Sequence, residues 1–167
     1  MPSSYPDGKD EALAWIQQTF LPTDPILDVG PGAGVWADRL GRVGFRLLDA
    51  LEIFAPYVDR YSLRALYRAV VIGDVRDFAP FASYKLVIMG DVLEHLSLAD
   101  AQAVLGRIQA AGAKVLVSVP WTYPQGAWGG NEAETHLQDD LTPSVMATRY
   151  PALQPIYKGP RMGVFTG

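Results

Sequence analysis

Hydrophobic and polar positions along the chain follow two alternating patterns, short apolar runs and longer segments with helical spacing. Five short apolar runs predict strands, at residues 26–29, 47–51, 69–72, 85–89 and 114–119, and the first of them predicts a buried strand. Apolar strands separated by helical segments are typical of a parallel sheet that is covered on both faces. The pattern therefore predicts an α/β fold.

Helical spacing fills the segments around these strands. The predicted helices span residues 8–21, 35–43, 56–67, 98–111 and 143–149. Pro56 stands at the start of the third helix, where proline is favoured. In the fourth helix, Leu98, Ala101, Leu105 and Ile108 recur at helical spacing, and we expect them to face the core.

The last part of the chain has a different character. Residues 121–142 are rich in glycine and aromatic residues and predict a loop, and residues 152–167 predict an antiparallel hairpin around a Lys-Gly-Pro turn. We expect residues 1–167 to form one minimal domain, with residues 1–24 as an N-terminal helical extension. In that organisation residues 121–142 form the loop on the substrate side.

Composition and charge narrow the function classes. The 167 residues are 49% hydrophobic, carry a formal net charge of −4 and include no cysteine, which excludes disulfides and thiolate chemistry. A net negative surface predicts no direct binding of nucleic acid or of an anionic membrane. The N-terminus lacks the pattern of a signal peptide and no apolar run approaches the roughly 20 residues of a membrane span, so we predict a cytoplasmic protein.

The stretch ILDVGPGAGVWA, residues 26–37, places three glycines between the first strand and its helix. Glycine there permits unusual backbone torsions and lets a ligand approach the main chain. A dinucleotide-binding turn has the pattern G-x-G-x-x-G, but here Val35 occupies the third glycine position and the glycine is Gly34. The mismatch makes NAD(P) the weaker of two cofactor hypotheses.

Acidic residues follow the predicted strands at the same edge of the sheet. Asp28 belongs to the first strand, and Glu52, Asp74 and Asp91 follow the second, third and fourth. Ligands of open parallel sheets bind beyond the carboxyl ends of the strands. Four carboxylates around one cleft suit a cationic ligand and would repel a pyrophosphate. A sulfonium that also carries an ammonium group fits this pattern.

The glycine turn, Glu52, GDVRDF and DVLEHL together resemble the class I S-adenosylmethionine-dependent methyltransferases, in order and spacing, over residues 26–120. The resemblance implies a Rossmann-like doubly wound sheet of seven strands in the order 3-2-1-4-5-7-6, with strand 7 antiparallel and helices on both faces. It also implies S-adenosyl-L-methionine as cofactor and methyl transfer as the reaction.

The resemblance further implies a role for each position around the adenosine. Glu52 would bind the ribose hydroxyls, and Ile53 or Phe54 would lie against the adenine. Asp74 would meet the adenine N6, with the backbone N–H of Val75 at N1.

The amino acid part of the cofactor would take the remaining positions. Gly30, Gly32 and Gly34 would pass beneath it, with Asp28 near its ammonium. Asp91 and the stretch from Val92 to Glu94 would face the methionine side and the methyl group.

Two histidines are candidates for acid–base catalysis. His95 either assists catalysis or closes the turn into the next helix by bonding the backbone, and His136 is either a general base or a surface residue. Some quinone O-methyltransferases have a similar EVLEH stretch and are thought to place a divalent metal there, but Asp91 replaces the first glutamate here. We assign no metal ligand from the sequence.

The methyl acceptor is not determined by these motifs. Trp121, Tyr123 and Trp128 could form an apolar wall over a substrate. Residues 91–94 lack the Pro-Pro-aromatic sequence of enzymes that methylate exocyclic amines of DNA bases. We expect a small-molecule acceptor, with a protein partner as a further possibility. A non-catalytic cofactor-binding module is the alternative function, and an NAD(P)-dependent oxidoreductase comes third.

Overall fold

The computed structural model describes residues 5–167, and its centre is a sheet of seven strands. The strands are β1 (Ile26–Val29), β2 (Leu48–Glu52), β3 (Ala69–Ile72), β4 (Leu86–Gly90), β5 (Lys114–Pro120), β6 (Gln154–Lys158) and β7 (Met162–Thr166). Their order is β3-β2-β1-β4-β5-β7-β6. Neighbours from β3 to β5 pair in parallel, and β7 runs antiparallel to both β5 and β6. The predicted strand order and the antiparallel seventh strand are confirmed.

Helices cover both faces of the sheet, as predicted. They are α1 (Lys9–Thr19), α2 (Val35–Arg42), α3 (Ala55–Arg60), α4 (Leu63–Leu66), α5 (Leu98–Ala110) and α6 (Pro143–Arg149). The first four contribute to one core cluster, whereas α5 and α6 contribute to the other. None of the helices within residues 5–167 is long and apolar enough to cross a membrane.

The central strands of the sheet are mostly apolar because both of their faces are buried. Ile26 and Leu27 are adjacent in β1 but belong to opposite core clusters, and Leu86 and Val87 divide in the same way in β4. Successive side chains of a strand point to opposite faces, so a strand with helices on both sides needs continuous apolar residues. This is why runs without polar alternation correctly predicted the central strands.

Two helix predictions need correction. The helix predicted over residues 56–67 is broken into α3 and α4, because Ser62 adopts a left-handed φ of 52° between them. In α5, Leu98 is 38% exposed at the first turn, whereas Val104 is 1% exposed and takes a place in the core. The spacing of apolar residues was right, but the register of the buried face is set by contact with the sheet.

Candidate functional site

A cleft of about 790 Å³ opens at the carboxyl ends of β1 to β4. Most of the predicted site residues line it: Gly30, Gly32, Glu52, Ile53, Asp74, Val75, Asp91, Val92, His95, Tyr123 and His136. The others lie behind or beside the lining: Asp28, Gly34, Phe54, Trp121 and Trp128. Parallel strands end at one edge of the sheet, so residues distant in sequence meet there.

The glycine turn between β1 and α2 has a left-handed backbone. Gly30, Gly32 and Gly34 have φ values of 62°, 52° and 78°, which L side chains rarely adopt. A Cβ on Gly30 would also lie 2.9 Å from Cγ2 of Val92, and one on Gly34 would collide with Leu66. The left-handed torsions of all three residues therefore favour glycine, and Gly30 and Gly32 present bare backbone to the cleft.

Asp28 lies beneath this turn and is only 1% exposed. The Tyr67 hydroxyl donates a hydrogen bond of 2.5 Å to its Oδ2. Burial raises the pKa of Asp28 to about 7, against the lowering effects of the Tyr67 hydrogen bond and of the Lys9 charge. A carboxylate in this position is an electrostatically costly group that its surroundings only partly stabilise.

Glu52, the last residue of β2, is 3% exposed although it lines the cleft. The backbone N–H of Phe54 donates to its Oε1 at 2.8 Å. Burial raises the pKa of Glu52 to about 7 despite that hydrogen bond, and the nearby Glu134 adds to the shift. The end of β2 is therefore a buried carboxylate held by backbone N–H groups.

These two carboxylates predict how stability depends on pH. Because their folded pKa values of about 7 lie above the ordinary values of 3.8 and 4.5, the folded state holds protons that the unfolded state has lost. The free energy of unfolding should therefore fall as the pH rises from 5 to 7 and change little above 8. Urea unfolding at several pH values measures this, and Glu52→Gln should flatten the profile. A free energy that rises over the same range contradicts the prediction.

The acids that follow β3 and β4 already have protein partners. Arg76 bonds Asp74 through its backbone N–H at 2.8 Å and through its guanidinium, and this lowers the pKa of Asp74. Asp91 has a left-handed φ of 56° and accepts a hydrogen bond of 2.9 Å from Ser118 Oγ. A strained torsion in a residue that lines a cleft is a common feature of functional sites.

Both histidines lie in the cleft, on the side away from β2. The rings of His95 and His136 meet edge to face with their centroids 4.6 Å apart. Burial lowers the pKa of His95 to about 4, and the neighbouring His136 lowers it further. His95 is therefore a neutral imidazole at physiological pH in the absence of a ligand.

Residues 121–142 reach this side of the cleft through specific contacts. The Tyr57 hydroxyl donates to Oε1 of Glu134 at 3.1 Å, and the backbone N–H of Leu137 donates to the carbonyl of Glu94 at 2.8 Å. Tyr123 is 44% exposed at the cleft. These contacts fix the middle of the loop on α3 and on the turn that follows β4.

The two tryptophans of this segment pack elsewhere. Trp121 donates through Nε1 to the carbonyl of Gly159 at 3.0 Å and lies on β7 beside Phe165. The guanidinium of Arg60 lies 5.5 Å from the ring centroid of Trp128. Of the three aromatic residues predicted to form a wall, Tyr123 alone is among the residues that line the cleft.

Two residues at the base of the site were missed from the sequence. Tyr67 is the hydrogen-bond donor to Asp28, 39 positions away, and no local pattern indicates it. Lys9 is 5% exposed, with its Nζ 5.7 Å from the ring centroid of Trp36. A lysine at helical spacing from the buried Ala12 and Ile16 was a detectable signal, because a cation on the inner face of a helix needs a partner.

Comparison with known proteins supports the fold. No protein-family profile and no curated protein sequence matches the chain. The chain is similar to the structure of the glycopeptide N-methyltransferase MtfA complexed with S-adenosyl-L-homocysteine, with a TM-score of 0.68 and 19% identity over 97% of this chain and 90% of that one.

Two further solved structures give the same result. DhpI in complex with SAH has a TM-score of 0.70 and 16% identity, covering 95% of this chain and 82% of that one. Magnesium protoporphyrin IX methyltransferase (ChlM) from Synechocystis PCC 6803, with bound SAM, has a TM-score of 0.64 and 16% identity, covering 94% and 76%. With its strand order and these neighbours, the chain has the fold of the class I S-adenosylmethionine-dependent methyltransferases.

Proposed function

We propose that this protein is an S-adenosylmethionine-dependent methyltransferase that acts on a small molecule. The observation that carries the proposal is one cleft in which a bare glycine turn, the buried acid Glu52 and the acids Asp74 and Asp91 converge. In support, similar folds have been solved with S-adenosyl-L-homocysteine or SAM bound, in MtfA and ChlM.

The adenosine half of the cofactor would bind along β2 and β3. Glu52 would accept hydrogen bonds from the ribose hydroxyls, and Ile53, whose side chain is 45% exposed, would cover one face of the adenine beside Phe54. Asp74, whose carboxylate Arg76 also contacts, would accept a hydrogen bond from the adenine N6, and the Val75 N–H would donate to N1. The adenine would thus be recognised by an acceptor, the Asp74 carboxylate, beside a donor, the Val75 N–H.

The methionine half would lie over the glycine turn. Its ammonium and sulfonium are positive and would favour the ionised forms of Asp28, Glu52 and Asp91, which would stabilise these charges. A pyrophosphate would meet unfavourable charge at the same place. The charge distribution therefore favours the sulfonium cofactor over NAD(P).

The acceptor would enter from the side formed by Tyr123, His95 and His136. Methyl transfer from a sulfonium is a displacement in which the cofactor supplies the reactivity, and the protein chiefly holds the acceptor in line. Such positioning contributes roughly 7–11 kcal/mol in favourable cases. MtfA and ChlM are named for a glycopeptide and a porphyrin acceptor, and a small acceptor is consistent with a cleft walled by a single loop.

Cofactor choice is the first test. Titration calorimetry should show that S-adenosylmethionine and S-adenosylhomocysteine bind one per chain, while NAD and NADP give no binding heat. Ligand that binds only the folded state also raises the unfolding temperature, which gives a second measurement on the same sample. Saturable binding of a nicotinamide cofactor without binding of S-adenosylmethionine would contradict the proposal and favour an NAD(P)-dependent oxidoreductase.

Catalysis is tested separately from binding. The protein is incubated with S-adenosylmethionine that carries a radiolabelled methyl group and with a cell extract, and the products are separated by size. We expect label in the small-molecule fraction. Label in protein or nucleic acid contradicts the proposed acceptor class, and tight cofactor binding without any transfer supports the non-catalytic module.

A further inference from the structure

Glu94 is a buried acid at the edge of the cleft. It follows β4 in the turn Leu93–His95, and its side chain is 1% exposed. Neither carboxylate oxygen has a hydrogen-bond partner among residues 5–167. Buried polar groups are almost always hydrogen-bonded, since leaving a carboxyl group unpaired away from water is costly. A carboxyl group held in this state at the edge of a cleft is available to a ligand that enters the cleft.

Two imidazoles lie beside this carboxylate. His95 is its neighbour in sequence, whereas His136 comes from the loop of residues 121–142. One carboxylate oxygen of Glu94 and one nitrogen of each imidazole all lie within 4.8 Å of one another. Ligands at roughly 2.0–2.2 Å from one ion are separated by about 3–4 Å, so a small contraction brings the three groups to bonding distance.

Backbone carbonyls determine which nitrogen each histidine offers. Nδ1 of His95 is 3.3 Å from the carbonyl oxygen of Thr135, and Nδ1 of His136 is 2.5 Å from that of Tyr123. A carbonyl only accepts hydrogen bonds, so Nδ1 must carry the proton in both rings. The neutral ring then has its lone pair on Nε2, and an outer hydrogen bond of this kind is what orients metal-bound histidines in proteins.

We propose that Glu94, His95 and His136 form a binding site for a divalent transition-metal ion. Two imidazoles and one carboxylate favour Mn²⁺, Fe²⁺, Co²⁺ or Zn²⁺ over Mg²⁺ and Ca²⁺, which prefer oxygen ligands. All three residues line the cleft, so the remaining coordination positions face its interior. A role of the ion in holding the methyl acceptor would rest on the proposed methyltransferase function. Binding of the ion to these three residues does not depend on that function.

The third ligand, His136, does not belong to the sequence motif that contains Glu94 and His95. His136 lies in the loop that Leu137 N–H and Gln138 N–H anchor to the Glu94 carbonyl, at 2.8 and 3.0 Å. The buried Gln138 side chain also donates to the carbonyls of Leu93 and Leu96, each at 3.1 Å. The loop is therefore held against the turn of Glu94 by protein contacts alone, and the metal ligands are brought together before an ion binds.

Cobalt is the probe for the test. Chelator-treated full-length protein is titrated with Co²⁺ and followed by calorimetry and by visible absorption. We expect one ion per chain and the d–d bands of Co²⁺ bound to nitrogen and oxygen ligands. Glu94→Gln and His136→Asn should each weaken binding by at least roughly 10–100-fold, the loss that follows removal even of an outer partner.

The matched control is Asp139→Asn, which removes an exposed carboxylate from the same loop and should bind Co²⁺ as wild type does. Wild-type protein without saturable binding, or a Glu94→Gln variant with unchanged affinity, overturns the proposal. If a variant fails to fold, the stoichiometry and spectrum of the wild type still decide it. Calorimetry of S-adenosylmethionine on the same samples separates failure of the metal site from failure of the methyltransferase assignment.

Discussion

Replacing Glu52 by alanine should weaken the binding of S-adenosylmethionine about ten- to hundredfold. The proposed bonds from the two ribose hydroxyls end on this carboxylate, and a hydrogen bond to a charged group contributes roughly 1.5–3 kcal/mol. The loss of one such bond already gives the stated range. Titration calorimetry with S-adenosylmethionine and S-adenosylhomocysteine measures the change directly.

Two variants make the Glu52 result specific. Glu52→Gln keeps the size of a side chain that is 3% exposed and should lose part of the affinity, because an amide is a weaker acceptor than a carboxylate. Asp59→Ala removes an exposed acid from the neighbouring helix α3 and should bind as wild type does. If Glu52→Ala binds the cofactor with unchanged affinity, the cofactor does not bind in the proposed orientation.

Replacing Tyr67 by phenylalanine should destabilise the folded protein by roughly 1.5–3 kcal/mol at pH 8, the contribution of a hydrogen bond to a charged group. The variant leaves Asp28, which is 1% exposed, without the hydroxyl that lies 2.5 Å from Oδ2. For a chain of this length the unfolding temperature should fall by roughly 3–12 °C. Thermal and urea unfolding of the cofactor-free protein measure the change.

The pH dependence of this variant identifies the cause. Burial raises the pKa of Asp28 to about 7, so this carboxyl is mostly protonated at pH 5 and ionised at pH 8. The penalty of Tyr67→Phe should be larger at pH 8, where the lost donor faced a charge. Tyr61→Phe is the matched control, because the Tyr61 hydroxyl is buried without a partner among the described residues and its removal should cost little. Equal effects of the two variants would exclude the proposed role of Tyr67.

Several features of the fold could be predicted from the sequence because they depend on neighbouring residues. Buried strands with helices on both sides are apolar along their length, which located β1 within its true bounds. The apolar run of residues 69–72 also matches β3, although that edge strand is largely exposed. Gly30 and Gly34 have the positive φ values that their place before a helix suggested. The strand order came from the resemblance of motifs and not from local pattern, since local patterns do not specify which strands are neighbours.

The details of the site could not be predicted in the same way. Glu52 is 3% exposed although it ends a strand at the cleft, and Glu134, from a loop 82 positions away, lies near enough to raise its pKa. Trp121 was expected at the cleft and instead lies on β7, where a Cβ at Gly163 would collide with its ring. The path of a loop decides both results, and that path depends on contacts with distant elements.

The sequence by itself determined the α/β architecture, the glycine turn and the carboxyl edge of the sheet as the place of the site. Apolar periodicity and backbone torsion are properties of short segments, so they do not depend on the path of the loops. Only the tertiary structure decided that Tyr67 bonds Asp28 and that His136 joins Glu94 and His95. Those contacts join residues about 40 positions apart, and their distances follow from how the sheet and its loops pack together.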